Sequence, residues 1–214
     1  MEPAMQVEIW SDMICPWCFI GKRRFETALA QFPQRDSVNI IWRSFELDPD
    51  APQQQPGTLE EMLSRKYGVS LEQAAEMNKR VSSIAKSLDL EYRLSEARPG
   101  NTFNAHRLMH FAEARQLGAQ ATERIMQAYF CETLPVGDPA ALAKIAPEFG
   151  ISETDSLALL KGNEYSDAVR ADEARAAGLG ITSVPFFVID EKLGVSGAQP
   201  VETFVEALKQ AAAL

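Results

Sequence analysis

The chain reads as an α/β protein in the order β-α-β, an all-helical block, then α-β-β-α. Three observations carry that reading. Short runs of β-branched and aromatic residues are confined to the two ends of the chain, hydrophobic residues in between recur at helical spacing, and capping-box pairs open two of those helical runs.

The elements follow in order. Val7 to Trp10 is a short apolar stretch interrupted by Glu8 and closed by the polar Ser11-Asp12, a first strand. From Pro16 the spacing turns helical, with Phe25, Ala28, Leu29 and Phe32 at i, i+3, i+4 and i+7 and Pro33 ending the run. Val38 to Leu47 reads as a second strand, its Val38, Ile40 and Trp42 alternating. The helix between the strands is the crossover that parallel pairing requires.

Residues 48–57 hold three prolines and three consecutive glutamines and read as a linker. Thr58 with Glu61, and Ser70 with Gln73, then open helices. Others are expected at about Thr102 to Leu117, Ala119 to Thr133, Pro139 to Phe149, Ser152 to Leu160 and Glu164 to Ala177, the last stopped by Gly178. Val184-Pro185 leads into a strand, Phe186 to Ile189; a turn at Asp190-Glu191-Lys192 lets Leu193 to Ser196 pair back, and Pro200 opens a final helix.

Composition narrows the function. In 214 residues, 46% are hydrophobic and 24% charged, enough apolar side chain for a core and too much for a disordered chain. A formal net charge of -9 disfavours binding to nucleic acid or an anionic membrane. No window approaches the roughly 18 apolar residues of a membrane span, and the opening Met1 to Trp10 lacks the pattern of an export signal, so a cytoplasmic location is expected. Three cysteines are too few to staple a fold.

Their placement is more informative than their number. Cys15-Pro16-Trp17-Cys18 stands where the first strand hands over to the first helix. Two cysteines one helical turn apart bring their sulfurs within disulfide reach, and the unpaired amides of a helix N-terminus favour negative charge on the first sulfur. Cys15 is therefore expected to be substantially thiolate at neutral pH. Pro16 fits the first helical position, where its missing amide is not needed. Zinc would require two further ligands, and no second Cys-x-x-Cys and no His-x-His or Cys-His pair stands at ligand spacing. Inert core cysteines need neither this spacing nor this junction. A redox dithiol fits both. Far along the chain, Val184-Pro185 sets a proline directly before an apolar strand, which a turn, a strand edge or a cis bond each explain.

Taken together these motifs resemble DsbA-like members of the thioredoxin superfamily, and within them the FrnE-type branch associated with polyketide biosynthesis. The similarity runs through residues 8–25, Phe45-Glu46-Leu47-Asp48-Pro49, residues 101–107, residues 180–187 and Ser196-Gly197-Ala198-Gln199-Pro200, so it spans the chain. It implies a thioredoxin fold made of residues 1–56 and 163–214, interrupted by a helical domain over 57–162. It further implies Cys15 as nucleophile, Cys18 as resolving thiol and a cis Pro185 beside them. Pro16, Trp17, Val184 and Pro185 would then border a groove for an extended substrate. No cofactor beyond the Cys15-Cys18 pair is implied, with glutathione or another thiol as a possible co-substrate, and the partners would be protein or small-molecule thiols and disulfides. The protein would act as a monomer or homodimer.

Several other residues carry weaker expectations. His106 and His110 share a helix face at i, i+4, a chelating geometry without a third ligand; His106 alternatively faces the groove. Glu8 and Glu46, in strands near the dithiol, are either proton acceptors for Cys18 or carboxylates reaching solvent. Cys131 falls on the polar side of its helix with Arg124 and Gln127, as an idle or regulatory thiol. Two rival functions accompany the leading one, a thiol-disulfide oxidoreductase. One is a glutathione-dependent isomerase or transferase of the kappa and chromene-carboxylate type, whose members carry serine where Cys15 stands; the other is a chaperone-like binding module.

Overall fold

The computed structural model describes residues 5–214; residues 1–4, which open the segment read for an export signal, lie outside it. The first strand, β1 (Met5–Ser11), begins earlier than its apolar core suggested. It is followed by α1 (Pro16–Ala30) and β2 (Val38–Ser44). β2 stops short of the expected Leu47. Its last paired residue is Ser44, opposite Ser11; beyond it Phe45 still donates to the Ser11 carbonyl, while the Leu47 amide turns to the Asp12 carboxylate.

The helical stretch contains α2 (Leu59–Tyr67), α3 (Leu71–Lys86), α4 (Phe103–Glu113), α5 (Gly118–Glu132), α6 (Pro139–Ile145), α7 (Glu153–Lys161) and α8 (Ser166–Gly178). The chain closes with β3 (Phe186–Ile189), β4 (Leu193–Ser196) and α9 (Val201–Ala213). Both capping boxes form: Thr58 and Ser70 each accept from the amide three residues on, and Glu61 and Gln73 each reach back to the capping residue's amide.

The strands make one sheet in the order β2-β1-β3-β4. β1 and β2 are parallel, as the α1 crossover requires, and the other pairings are antiparallel. By contact density the chain divides into two compact units. One runs up to Leu47 and resumes at Ala171–Leu214; the other is Asp48–Arg170.

The two faces of the sheet are covered differently. On one, Ile9 lies opposite Phe187, and Phe25 of α1, Phe187 of β3 and Phe204 of α9 form a ring cluster with centroids 4.6 to 5.7 Å apart. All three rings are buried, and each adds about 1.5–3 kcal/mol of hydrophobic stabilisation. On the other face Trp10 packs against Val188, Ala176 of α8 and Ile181, with Phe45, Val184 and Phe186 at the margin.

In the helical unit, residues 48–57 are not a free linker. Gln55 donates to the Pro99 carbonyl, Asn101 donates to the Pro52 carbonyl through its amide, and its side chain donates to that of Pro49. Gly100 and Gly137 pack so closely on Gln53 that an added Cβ would meet its carbonyl oxygen at 2.2 and 1.6 Å. The boundary therefore falls at Leu47, because this proline-rich segment satisfies its backbone within the helical unit. Buried Arg107 of α4 donates to the carbonyls of Leu159, Gly162 and Glu164, ending α7.

Candidate active site

Asp12 through Cys15 turns the chain from β1 into α1. The Cys15 amide donates to the Asp12 carbonyl at 3.1 Å, which closes the turn, and the Cys18 amide donates to the Cys15 carbonyl at 3.0 Å as the helix begins. Cys15 is the N-cap of α1 with extended backbone, and Pro16 occupies the first helical position. No acidic residue lies in the first turn, so nothing there offsets the partial positive charge of the helix end.

Cys15 and Cys18 are both buried, whereas Trp17 between them is 42% exposed. The dithiol is thus recessed behind an accessible aromatic ring. Cys15 Sγ lies 3.7 Å from the Val184 carbonyl, donating to it, which joins two motifs 169 residues apart. The Val184-Pro185 peptide bond is cis.

Gly21 completes this arrangement. An ideal Cβ there would stand 2.9 Å from Pro185 Cγ and 3.5 Å from Ala198 Cα. The proline ring is not a flexible tail that can move aside, so the absence of a side chain at Gly21 is what allows α1 to lie against Pro185. Sequence reading passed over Gly21, because a single glycine in a helical run carries no signal without its neighbour.

The two sulfurs differ in environment. Burial pushes the Cys18 thiol well above its usual value, and a hydrogen bond and negative charge at Cys15 push it further. The backbone amide of Asp12 hydrogen-bonds to Cys18 and works in the opposite direction, while the Asp12 carboxylate adds to the upward shift. Cys18 is therefore held as a thiol at neutral pH.

Glu8 is 1% exposed rather than reaching solvent, and its side chain lies on the α8 side of the sheet, bound by Arg43 at 2.6 Å and Arg175 at 2.6 Å. Burial works to raise its pKa, but the hydrogen bonds and charges of Arg175 and Arg43 outweigh burial and hold it below the usual carboxylate range. Arg43 also pairs with buried Asp172, whose other oxygen accepts from the Ser44 amide and whose carbonyl accepts from Trp10 Nε1. Glu46 is buried but stands beyond the end of β2, not within a strand.

His106 is fully buried on α4 in the helical unit, and His110 one turn later is half-buried. Among the described residues no group of three His, Cys, Asp or Glu could hold a metal ion. Cys131, near the end of α5, is of intermediate exposure. No helix among the described residues is long and apolar enough to cross a membrane.

A four-stranded sheet flanked by helices, interrupted by a helical unit and bearing a Cys-x-x-Cys at the start of its first helix, defines a thioredoxin-type domain with a helical insertion. The family described as the DSBA-like thioredoxin domain matches residues 6–209, and the chain belongs to it. Members of this family are thiol oxidoreductases. The probable DsbA oxidoreductase SCO1869 from Streptomyces coelicolor, known from its crystal structure, is 44% identical, with a TM-score of 0.93 over 97% of this chain and 89% of that one. The uncharacterised protein YwbO of Bacillus subtilis (strain 168) is 28% identical over 206 residues, 95% of this chain and 96% of its own length. The cytosolic disulfide reductase DsbM of Pseudomonas aeruginosa, solved with GSH, shares the fold at 16% identity and a TM-score of 0.65, covering 98% of this chain and all of that one.

Proposed function

We propose that the protein is a thiol-disulfide oxidoreductase whose working pair is Cys15 and Cys18. The observation that carries this reading is the placement of Cys15 at the N-cap of α1, its sulfur 3.7 Å from the Val184 carbonyl, with Cys18 one turn deeper. Burial keeps the second sulfur protonated until it is needed.

In the reducing direction the Cys15 thiolate attacks a substrate disulfide. One S–S bond breaks, a mixed disulfide forms, and one substrate thiolate leaves. Cys18 then loses its proton and attacks Cys15 Sγ; the Cys15-Cys18 disulfide forms and the second substrate thiolate leaves. Two electrons pass to the substrate. The oxidising direction is the reverse, on a substrate dithiol.

No prosthetic group enters this scheme, since the dithiol carries the electrons; glutathione or another small thiol serves as co-substrate for resetting the pair. Substrates are protein or small-molecule thiols and disulfides. They enter past exposed Trp17 and beside Val184 and Pro185. A cytoplasmic location and membership of the FrnE-type branch belong to the same reading, the former supported by the cytosolic DsbM that shares the fold. The test is reduction of insulin disulfides by the wild type and by Cys15→Ser. The substitution is expected to abolish turnover, and a variant that keeps full activity would overturn the assignment.

A further inference from the structure

Resolution of the mixed disulfide requires a proton to leave Cys18, a buried thiol in a site that raises its pKa. The two carboxylates expected from sequence to receive it are Glu8, held by two arginines on the α8 side of the sheet, and Glu46, beyond the end of β2. A third, Asp12, touches the dithiol directly. It is 1% exposed, its carbonyl accepts from the Cys15 amide at 3.1 Å, and its own amide hydrogen-bonds to Cys18. Its carboxylate belongs to the residue whose amide meets the sulfur, so it is held within one side chain's reach of Cys18. The Leu47 amide, 2.7 Å from Oδ2, fixes its orientation.

Resting on the oxidoreductase reading above, we infer that Asp12 is the proton acceptor for Cys18 in the resolving step. The Cys18 S–H proton passes to the Asp12 carboxylate as Cys18 Sγ attacks Cys15 Sγ. The Cys15-substrate bond breaks, the Cys15-Cys18 bond forms, and the departing substrate thiolate takes the proton from Asp12. In the oxidising direction the protonated Asp12 returns it to Cys18. The charged and titratable groups nearby in the chain's fold are Cys15 at the N-cap, Lys22, Arg23, Arg24 and Glu26 of α1, with Lys22 and Arg23 paired to Glu26, Arg43 of β2, paired to Glu8, and Glu46.

A purely electrostatic role and a proton-accepting role predict opposite effects for Asp12→Asn, which keeps an oxygen for the Leu47 amide. Removing the negative charge lowers the barrier to ionising Cys18, and by electrostatics alone it speeds resolution. Removing the acceptor slows it. The reduced protein is mixed in a stopped-flow instrument with an aromatic disulfide that releases a coloured thiolate twice, first on attack by Cys15 and again on resolution by Cys18. In Asp12→Asn the first phase is expected to stay within about twofold, the second to slow at least about tenfold near pH 7, and alkaline pH to recover it. An unchanged or faster second phase overturns the inference.

Cys15→Ser separates this from the parent reading: if that variant still shows both phases, the oxidoreductase assignment fails whatever Asp12 does. Should Asp12→Asn not fold, the carboxyl carbon resonance of Asp12 is followed by NMR across pH in the reduced protein and in Cys18→Ser. A resonance that responds to Cys18 ionisation and loses that response in Cys18→Ser is expected; identical curves in the two proteins overturn the inference.

Discussion

The two faces of the sheet are built from opposite materials. The face under α1 and α9 is apolar, closed by Phe25, Phe187 and Phe204 and by the contact of Gly21 with Pro185. The face under α8 buries charge: Glu8 and Asp172 are held by Arg43, and Glu8 by Arg175 as well. The helix that carries the dithiol is thus positioned by shape, which does not vary with pH. The opposite face is held by ion pairs, which do. The two faces should therefore fail under different conditions.

Phe204→Ala should give the largest effect. It empties the centre of the ring cluster and is expected to lower stability by about 3–5 kcal/mol at every pH, measured by urea unfolding. Loss that depended on pH would show that the apolar face is not what the packing suggests.

Glu8→Gln follows. Breaking a buried pair costs about 3–5 kcal/mol, and the partial exposure of Arg43 and Arg175 reduces this to about 2 kcal/mol. Because the Glu8 pKa lies below its unfolded value, its contribution is present above the unfolded pKa and is lost as pH falls through the folded one. The wild type and Glu8→Gln should therefore differ most near neutral pH and converge in acid. Thiol reactivity should change little, since this carboxylate is not beside the dithiol.

Gly21→Ala is the smallest in stability and the sharpest in location. Alanine is better than glycine in a helix by about 1 kcal/mol, whereas overpacking against a proline ring costs about 1–3 kcal/mol. The net loss should be about 1 kcal/mol, with the displacement falling on Pro185. A marked fall in insulin-reduction rate, larger than this small loss of stability explains, is expected; an unaltered rate would show that the contact does not govern the site.

Much of this molecule was legible before its structure. The element order, the Cys-x-x-Cys at a strand-to-helix junction and both capping boxes rest on local spacing, which sequence displays directly. What was not legible depends on neighbours distant along the chain. Glu8 could be expected to reach solvent until Arg43 and Arg175 closed on it from β2 and α8. Residues 48–57 looked like a linker because their partners, the Pro99 carbonyl, the Asn101 donors and the glycines at 100 and 137, lie far along the chain. Asp12 had one available signal, an acidic residue at a strand end three positions before the first cysteine. Its burial, however, depends on the turn of β2 toward Leu47.

The proposed division of labour between the two sulfurs is open to trapping. Incubated with a disulfide-bonded peptide, Cys18→Ser should accumulate a mixed disulfide that mass spectrometry maps to Cys15, because attack proceeds and resolution cannot. Cys15→Ser should accumulate none at the Cys-x-x-Cys site, because Cys18 is buried and protonated; an adduct on half-exposed Cys131 is told apart by the same mapping. A peptide adduct mapped to Cys18 in Cys15→Ser, with no adduct on Cys15 in Cys18→Ser, would contradict the account.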